Sequence, residues 1–368
     1  MTETPLPISF ARGAPSLDIV AVDELKAAAQ RAFENDPGGT TAYGTAIGYP
    51  PLREWIAEYQ QVEPEQVVVT NGSMQADAFL FRLLVKPGDL VIVEAPTYDR
   101  TLLSLRELGA EILAIPLEED GVDVEAIAQA CEAGARPKLA HIIPNFHNPG
   151  GYTLSLEKRR RLVELADACD FVLFEDDPYV SLRFEGEALP TMLSLDENEK
   201  VVYASSFSKT VCPGIRVGYL AGPAPLIAEV VKMATNTYIS PSMVSESIVN
   251  EFCRHGGLER SIDVVKAALR ERRDALCTAL ERELPDARFR PPEGGYFLWV
   301  DLPEGTDVAA LAAAAKDRGL VFVPGTDFFL EGGQSSLRIA YSGVTAEQID
   351  EGVARLADAY RGVAQAAA

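Results

Sequence analysis

The chain reads as an α/β protein, a mostly parallel sheet flanked by helices, followed by a smaller α+β unit. Three observations predict this. Seven short β-branched or apolar runs recur between amphipathic stretches: Val67–Val69, Leu90–Val93, Ile112–Ile115, Leu139–Ile143, Phe171–Phe174, Val201–Tyr203 and Val217–Leu220. Strands alternating with helices build a parallel sheet covered on both faces. The alternation runs from about residue 40 to 250, too long for a single mononucleotide-binding half, and the pattern changes after about residue 255. At 368 residues, and roughly 150 residues per domain, two domains are predicted. Their bounds are 41–255 for the larger and 256–368 for the smaller, with residues 1–40 as an N-terminal segment packing with the small domain.

Taken in order, the N-terminal segment holds one amphipathic helix through Val22, Leu25, Ala29, Ala32 and Phe33. Within the α/β region, Ser155 is a natural N-cap for a helix whose Leu162, Leu165, Ala166 and Cys169 fall at helical spacing. The cluster Lys158-Arg159-Arg160-Arg161 then reads as that helix's solvated face. Beyond residue 255 a charged helix spans Leu258–Glu283 and leads into a strand at Tyr296–Val300. A helix over Val308–Arg318, strands at Leu320–Val323 and Ser336–Tyr341, and a last helix opened by the capping box Thr345-Ala-Glu-Gln348 complete the chain.

Composition excludes several classes. The apolar fraction of 47% is ordinary, and no stretch approaches the roughly 18 apolar residues of a membrane span. The opening MTETPLPISF has neither the basic n-region nor the apolar h-region of a signal peptide, so a cytoplasmic protein is expected. Five scattered cysteines (Cys131, Cys169, Cys212, Cys253, Cys277) form no C-x-x-C pair, which indicates reduced thiols and no metal site. A formal charge of −22 repels a phosphate backbone, so nucleic acid is not an expected partner.

The chain contains no G-x-G-x-x-G, no P-loop and no G-x-S-x-G motif. Instead, Ser205-Ser206-Phe207-Ser208-Lys209-Thr210 follows an apolar strand and precedes Pro213-Gly214-Ile215-Arg216. Open α/β sheets bind ligands at the carboxyl ends of their strands, where Ser206, Ser208 and Arg216 suit a phosphate. A desolvated lysine beside cationic charge has a lowered pKa, which favours Schiff-base chemistry at Lys209. Three further strand ends carry polar motifs: Phe174-Glu175-Asp176-Asp177-Pro178-Tyr179, Asn145-Phe146-His147-Asn148-Pro149-Gly150-Gly151, and Val69-Thr70-Asn71-Gly72-Ser73-Met74. The last opens a helix whose free N–H groups form an anion site.

Together the four motifs resemble the fold-type I, class I and II aminotransferases, which depend on pyridoxal 5'-phosphate (PLP). The similarity is greatest to the subgroup of aminoadipate and kynurenine aminotransferases and the catalytic domains of MocR-type regulators, and it covers essentially the whole chain. The resemblance implies a PLP-binding large domain. It implies that Lys209 holds the cofactor as a Schiff base and moves the substrate Cα proton. Asp176 would pair with the pyridine nitrogen, Tyr179 and Asn148 with the ring 3-oxygen, and Tyr98 would stack on the ring. Ser73, the Met74 backbone amide, Ser206, Ser208 and Arg216 would hold the phosphate. Tyr43 would reach the phosphate of a neighbouring subunit, which implies a homodimer. Arg338, in Ser-Leu-Arg-Ile-Ala-Tyr-Ser, would fork onto the substrate α-carboxylate, with Asn148 beside it. Glu293-Gly294-Gly295-Tyr296 resembles the loop over the substrate, and Arg12 lies in a segment that closes over the site in relatives and meets a distal carboxylate.

The implied reaction is ping-pong transfer of an amino group from an L-amino acid to a 2-oxo acid, with 2-oxoglutarate the expected acceptor. The rival on the same scaffold is a PLP-dependent lyase or cyclising synthase, since fold alone does not choose the reaction. A regulator of MocR type is disfavoured because no DNA-binding module precedes Ile8-Ser-Phe-Ala-Arg-Gly. The chain departs from its relatives at Met74 and His147, both commonly Gln, and at Gly150, commonly Thr. His147 is a second candidate base, in a role Lys209 already fills.

Overall fold

A computed structural model of the chain describes residues 7–367. The first six residues of the 1–40 segment, and Ala368, lie outside the described residues. The chain begins with a short strand, β1 (Ile8–Ser9), then helix α1 (Val22–Asn35), α2 (Pro37–Thr41) and α3 (Pro50–Gln60). The α/β region follows as β2 (Val67–Thr70), α4 (Ser73–Leu84), β3 (Leu90–Ala95), α5 (Asp99–Glu107), β4 (Glu111–Glu118), β5 (Gly121–Val122), α6 (Val124–Glu132) and β6 (Pro137–Ile142). It continues through α7 (Leu156–Ala168), β7 (Val172–Asp176), α8 (Met192–Leu195), β8 (Val201–Ser206) and β9 (Gly218–Ala221) to α9 (Ala224–Tyr238) and α10 (Met243–Arg254). The last part is α11 (Gly257–Glu283), β10 (Arg288–Phe289), β11 (Phe297–Asp301), α12 (Val308–Asp317), β12 (Leu320–Val321), β13 (Val323–Pro324), β14 (Ser336–Ala340) and α13 (Ala346–Ala367).

The large sheet has the order β2-β9-β8-β7-β6-β3-β4-β5. Its inner pairs, β3 with β4 and β6, and β7 with β6 and β8, are parallel. An eighth strand, the two-residue β5, turns back antiparallel on β4; a run of two residues carries no period in the sequence. Because β9 is antiparallel to both β8 and β2, β2 runs in the same direction as β8. The carboxyl ends of β2, β3, β6, β7 and β8 therefore share one edge; β2, β6, β7 and β8 lead into the four polar motifs, and β3 leads to Tyr98.

Residue alternation divides the core. Val91 and Val93 of β3 face Phe79, Leu80, Leu102 and Ile227 on one side, while Ile92 faces Ile127, Leu162 and Leu165 on the other. A separate antiparallel sheet, β10-β11-β14-β13, packs with α11, α12 and α13 over a core that also takes Ile8, Phe10 and Ile19 from the chain's beginning. Here β1 lies parallel to β12, whereas α1 packs on α10. Phe146, Tyr179 and Leu182, from loops of the large sheet, enter this same core.

The Ser155 cap and the Thr345/Gln348 capping box both form. The basic cluster, read as a solvated face, is corrected. Arg159 is fully buried and donates to the carbonyls of Leu154, Pro144 and Pro190 and to Asn145 Oδ1. Lys158 is buried against Glu118 and Asp120. Only Arg160 of the four is exposed. Both cations sit on the α7 face toward the sheet, where carbonyls at irregular loop ends need donors. Among the described residues no helix is long and apolar enough to cross a membrane.

Candidate active site

At the shared strand edge lies a cavity of about 120 Å³, lined by residues from every one of the polar motifs. Ser73 and Met74 reach it from the start of α4, Tyr98 from beyond β3, Asn148 from beyond β6, Asp176 and Tyr179 from the end of β7, and Ser206, Ser208, Lys209 and Arg216 from beyond β8. Of the thirteen residues predicted for the site, ten line this one cavity. Arg338 is joined to it by a hydrogen bond, and Tyr43 and Arg12 stand apart from its lining.

One end is built for an anion. Ser73 and Met74 open α4, so their backbone N–H groups have no helical partner. Arg216, held at φ 52°, donates to Ser208 Oγ at 2.9 Å and to the Asn71 carbonyl at 3.3 Å. Ser206 Oγ accepts from the Ser208 amide at 3.1 Å. Gly72 has φ 86°, and a Cβ on it would lie 2.1 Å from an Arg216 guanidinium nitrogen, so glycine there admits both the backbone turn and the cation.

The opposite end holds the acid. Asp176 is buried, with Oδ2 3.5 Å from His141 Nε2 and Oδ1 without a partner. Between the two ends, Lys209 Nζ donates to the Gly13 carbonyl at 2.7 Å and lies 5.5 Å from the ring centres of Tyr179 and Tyr296. Desolvation, then the charges of Arg338 and Arg216, lower the Lys209 amine from 10.5 to about 8. Tyr98 is half-buried with its hydroxyl raised to about 12, mainly by burial, and Tyr179 is raised well above the ordinary phenol for the same reason.

Arg338 approaches from the antiparallel sheet. It sits on β14 opposite Trp299 of β11 and Val323 of β13 and is buried. Its guanidinium donates to Asn148 Oδ1 at 2.7 Å and to the Ala11 carbonyl, and it stacks over Phe297 at 4.4 Å and Phe328 at 5.0 Å, while Nε has no partner. The planar cation is thus held beside Asn148 of the cavity lining, and a guanidinium of this kind suits a carboxylate through two parallel hydrogen bonds. Arg12 is exposed, yet its charge acts on Lys209. Tyr43 is 90% exposed. The loop at Gly294-Gly295 packs against Phe146, and Tyr341 Oη donates to both glycine carbonyls.

Sequence reasoning missed three features. Asp77, on α4, lines the cavity with a buried, unpartnered oxygen; a charged residue in the apolar run Ala76–Phe81 was the available signal. His141 lies under Asp176 between Phe81 and Phe174. A third group pins the Asn148 loop: Glu94 faces His147 Nε2 at 3.0 Å, accepts from Tyr152 Oη and accepts from the Ile143 amide at 3.0 Å. The Gly150 amide donates to His147 Nδ1 at 3.0 Å, so Nδ1 accepts and Nε2 is the nitrogen that faces Glu94. His147 is outside the lining of the cavity that holds Lys209, so it is not placed to act as the base there.

The residues fit an aromatic phosphate ester carrying an aldehyde. The cavity has an anion cradle at one end, an unpartnered buried carboxylate oxygen at the other and an amine of lowered pKa between them.

Comparison with known proteins agrees. Residues 7–356 match the model of the family "Aminotransferase class I and II". The chain is 33% identical to the 2-aminoadipate transaminase of Thermus thermophilus over 99% of this chain and 92% of that one. It is 33% identical to aromatic-amino-acid aminotransferase 1 of Thermococcus litoralis, over 97% and 89%. Its structure resembles that of alpha-aminoadipate aminotransferase from Thermus thermophilus in complex with N-(5'-phosphopyridoxyl)-L-leucine. That match has a TM-score of 0.93 at 32% identity, covering 98% of this chain and 93% of the other.

Proposed function

The chain belongs to the class I and II aminotransferases, enzymes that move amino groups with PLP, and on that premise we propose that Lys209 carries the cofactor and moves the substrate's Cα proton. One observation carries the reading. The Lys209 amine, lowered to about 8, lies in one cavity with the anion cradle and the Asp176 carboxylate. PLP supplies an aldehyde for the amino group and an electron-withdrawing ring that stabilises negative charge at Cα.

The chain's own residues do the rest. Asp176 keeps a proton on the ring nitrogen, Tyr179 and Asn148 donate to the ring oxygen, and Tyr98 covers a ring face. Ser73, the Met74 amide, Ser206, Ser208 and Arg216 hold the phosphate. Arg338 takes the α-carboxylate and so presents the Cα–H to Lys209, whose amine is neutral in part of the population at pH 7 and able to accept the proton. Tyr43, exposed on one protomer, completes the cradle of a second, so the active unit is a homodimer. The large domain, residues 41–255, holds the cofactor and carries α1 on its α10; the small domain, 256–368, brings Arg338 and takes Ile8, Phe10 and Ile19 into its core. The cytoplasm is the place for this reaction.

The donor is an L-amino acid and the acceptor 2-oxoglutarate. Arg12, whose charge reaches Lys209, would meet a distal carboxylate, in keeping with the aminoadipate relatives. Arg12→Ala is expected to lower kcat/KM for dicarboxylic donors about tenfold and leave neutral donors unchanged, the loss of one charged hydrogen bond; an unaltered preference would remove Arg12 from the pocket.

The central test is Lys209→Ala, expected to abolish the visible absorbance of lysine-bound cofactor and to lower turnover at least about 10³-fold. With a single amino acid and no acceptor, the parent chain should release one equivalent of 2-oxo acid per site and stop until acceptor is added. Continuous release of ammonia without acceptor would mark a lyase instead.

A further inference from the structure

Asp77 has no part in the chemistry above, yet it lines the same cavity as Asp176 and Lys209. Its residue is 8% exposed and its Oδ1 is fully buried without a hydrogen-bond partner. Its placement follows from α4. Phe81, one turn further along the same face, packs edge-on against His141 at 5.8 Å. His141 Nε2 in turn lies 3.5 Å from Asp176 Oδ2, and neither of its nitrogens has a hydrogen-bond partner. The Asp77 face of α4 therefore sits over the His141–Asp176 pair. Asp77, Tyr98 and Asp176 all line the one cavity.

We propose that Asp77 is a positioning residue for Asp176: a protonated second carboxyl whose O–H faces the Asp176 carboxylate and leaves Asp176 as the single anion presented to the pyridine nitrogen.

Two carboxylates sharing a water-poor site cannot both ionise, and the one without compensating partners keeps its proton. Asp77 is that one. Burial, and after it the charge of Asp176, raise it well above the ordinary carboxylate range, opposed only by its own backbone amide. Asp176 has an oxygen free to accept. A donor to a carboxylate favours its charged form, so Asp77 holds Asp176 ionised and oriented for the ring nitrogen. The other titratable groups around the cavity, His141 from β6, Tyr98 from beyond β3, and Lys209 and Arg216 from beyond β8, leave this role open. The inference rests on PLP occupying the cavity.

The test uses the holoenzyme. The parent chain should show, in infrared spectra with isotope-labelled aspartate at pH 7, a protonated-carboxyl band that loses one carboxyl's intensity in Asp77→Asn, what remains belonging to the buried Asp177. Asp77→Leu, which has no donor, should weaken PLP binding about tenfold and shift the midpoint of the visible-absorbance pH titration by about one unit. Asp77→Asn, which keeps a neutral donor, should stay within about threefold and about a third of a unit of the parent. The proposal is overturned if the band is absent or keeps its full intensity in Asp77→Asn. It is equally overturned if both variants move the midpoint alike, which marks an ionised Asp77, or if neither moves it and only the melting temperature changes. The infrared result on the parent and Asp77→Asn decides the matter even if Asp77→Leu does not fold. A parent chain that takes up no PLP would sink the cofactor assignment and this inference with it, whereas a chain that binds PLP but fails the infrared test sinks this inference alone.

Discussion

At the scale of single residues, the site depends on planar cations held from several sides. Arg338 is fixed by the Asn148 side chain, the Ala11 carbonyl and the rings of Phe297 and Phe328. A lysine there would carry the charge without the fork and without the stacking surface. Arg338→Lys should therefore lower kcat/KM by about 10²-fold, the loss of about 3 kcal/mol of charge-assisted hydrogen bonding. Most of it should appear in KM, because the α-carboxylate is bound throughout the reaction. Steady-state kinetics with one donor over a concentration series checks this; an unchanged KM would show that the carboxylate docks elsewhere. At the anion end, Gly72→Ala should impair cofactor retention and leave Lys209 in place. The new methyl would meet the Arg216 guanidinium and the backbone would be forced at φ 86°. PLP affinity, followed by absorbance on titration, should fall at least about tenfold.

At the scale of elements, the loops after β3 and β6 are tied together by Glu94, His147 and Tyr152, the last two rings stacked at 4.6 Å. Asn148, the neighbour of His147, thereby meets Arg338 across the two sheets. His147→Ala should take the imidazole from beside Glu94, leaving it the Tyr152 hydroxyl and the Ile143 amide, at a cost on the order of 2 kcal/mol in stability, and lower kcat about tenfold as Asn148 loses its setting. His147→Gln, which retains a donor of similar reach, should recover most of both; urea denaturation and kinetics on the pair measure it. A Gln variant as impaired as Ala would show that the ring stack on Tyr152, not the bond to Glu94, holds the loop. The same loops show what could be read from the chain. The strand-end motifs were legible because a strand's end and its turn are local: Asn148, Asp176, Tyr179 and Lys209 each follow directly on an apolar run. So were the Ser155 cap and the Thr345 box, whose partners lie three residues away. Arg159 and Asp77 were not, because each owes its burial to residues far along the chain: Arg159 to the Pro144 and Pro190 carbonyls, Asp77 to the strands β8 and β9 on which α4 packs. The two-residue β5 escaped for the opposite reason, being too short to carry a period.

At the scale of the whole molecule, buried acids set how stability depends on pH. Glu246, on α10, is almost fully buried; it accepts from the Tyr49 amide at 2.5 Å while its other oxygen has no partner, and burial raises it from 4.5 to about 8. Glu175, whose oxygens accept from the Met192 and Leu193 amides, is raised by burial to about 7. Between about pH 4.5 and 8 the folded chain thus binds more protons at these sites than the unfolded chain, and stability falls as pH rises through that window. Lys209 acts above it in the opposite sense. Its folded value of about 8 lies below the unfolded 10.5, so the unfolded chain binds the extra proton and stability recovers from pH 8 upward. The acids with lowered values, such as Asp23, Asp170 and Asp358, sit on the surface, where screening leaves them little weight. The formal charge of −22 adds repulsion that grows in the same direction as the buried acids. The cofactor-free protein should accordingly melt at a higher temperature at pH 5.5 than at pH 8. Glu246→Gln should flatten that slope, removing an effect on the order of a few kcal/mol at pH 8. Salt should flatten what remains, since it screens surface repulsion and leaves the buried carboxyl untouched. A Glu246→Gln chain with the parent's full slope in high salt would place the dependence elsewhere, in Glu175, Asp77 and Asp177, whose raised values share the same cause.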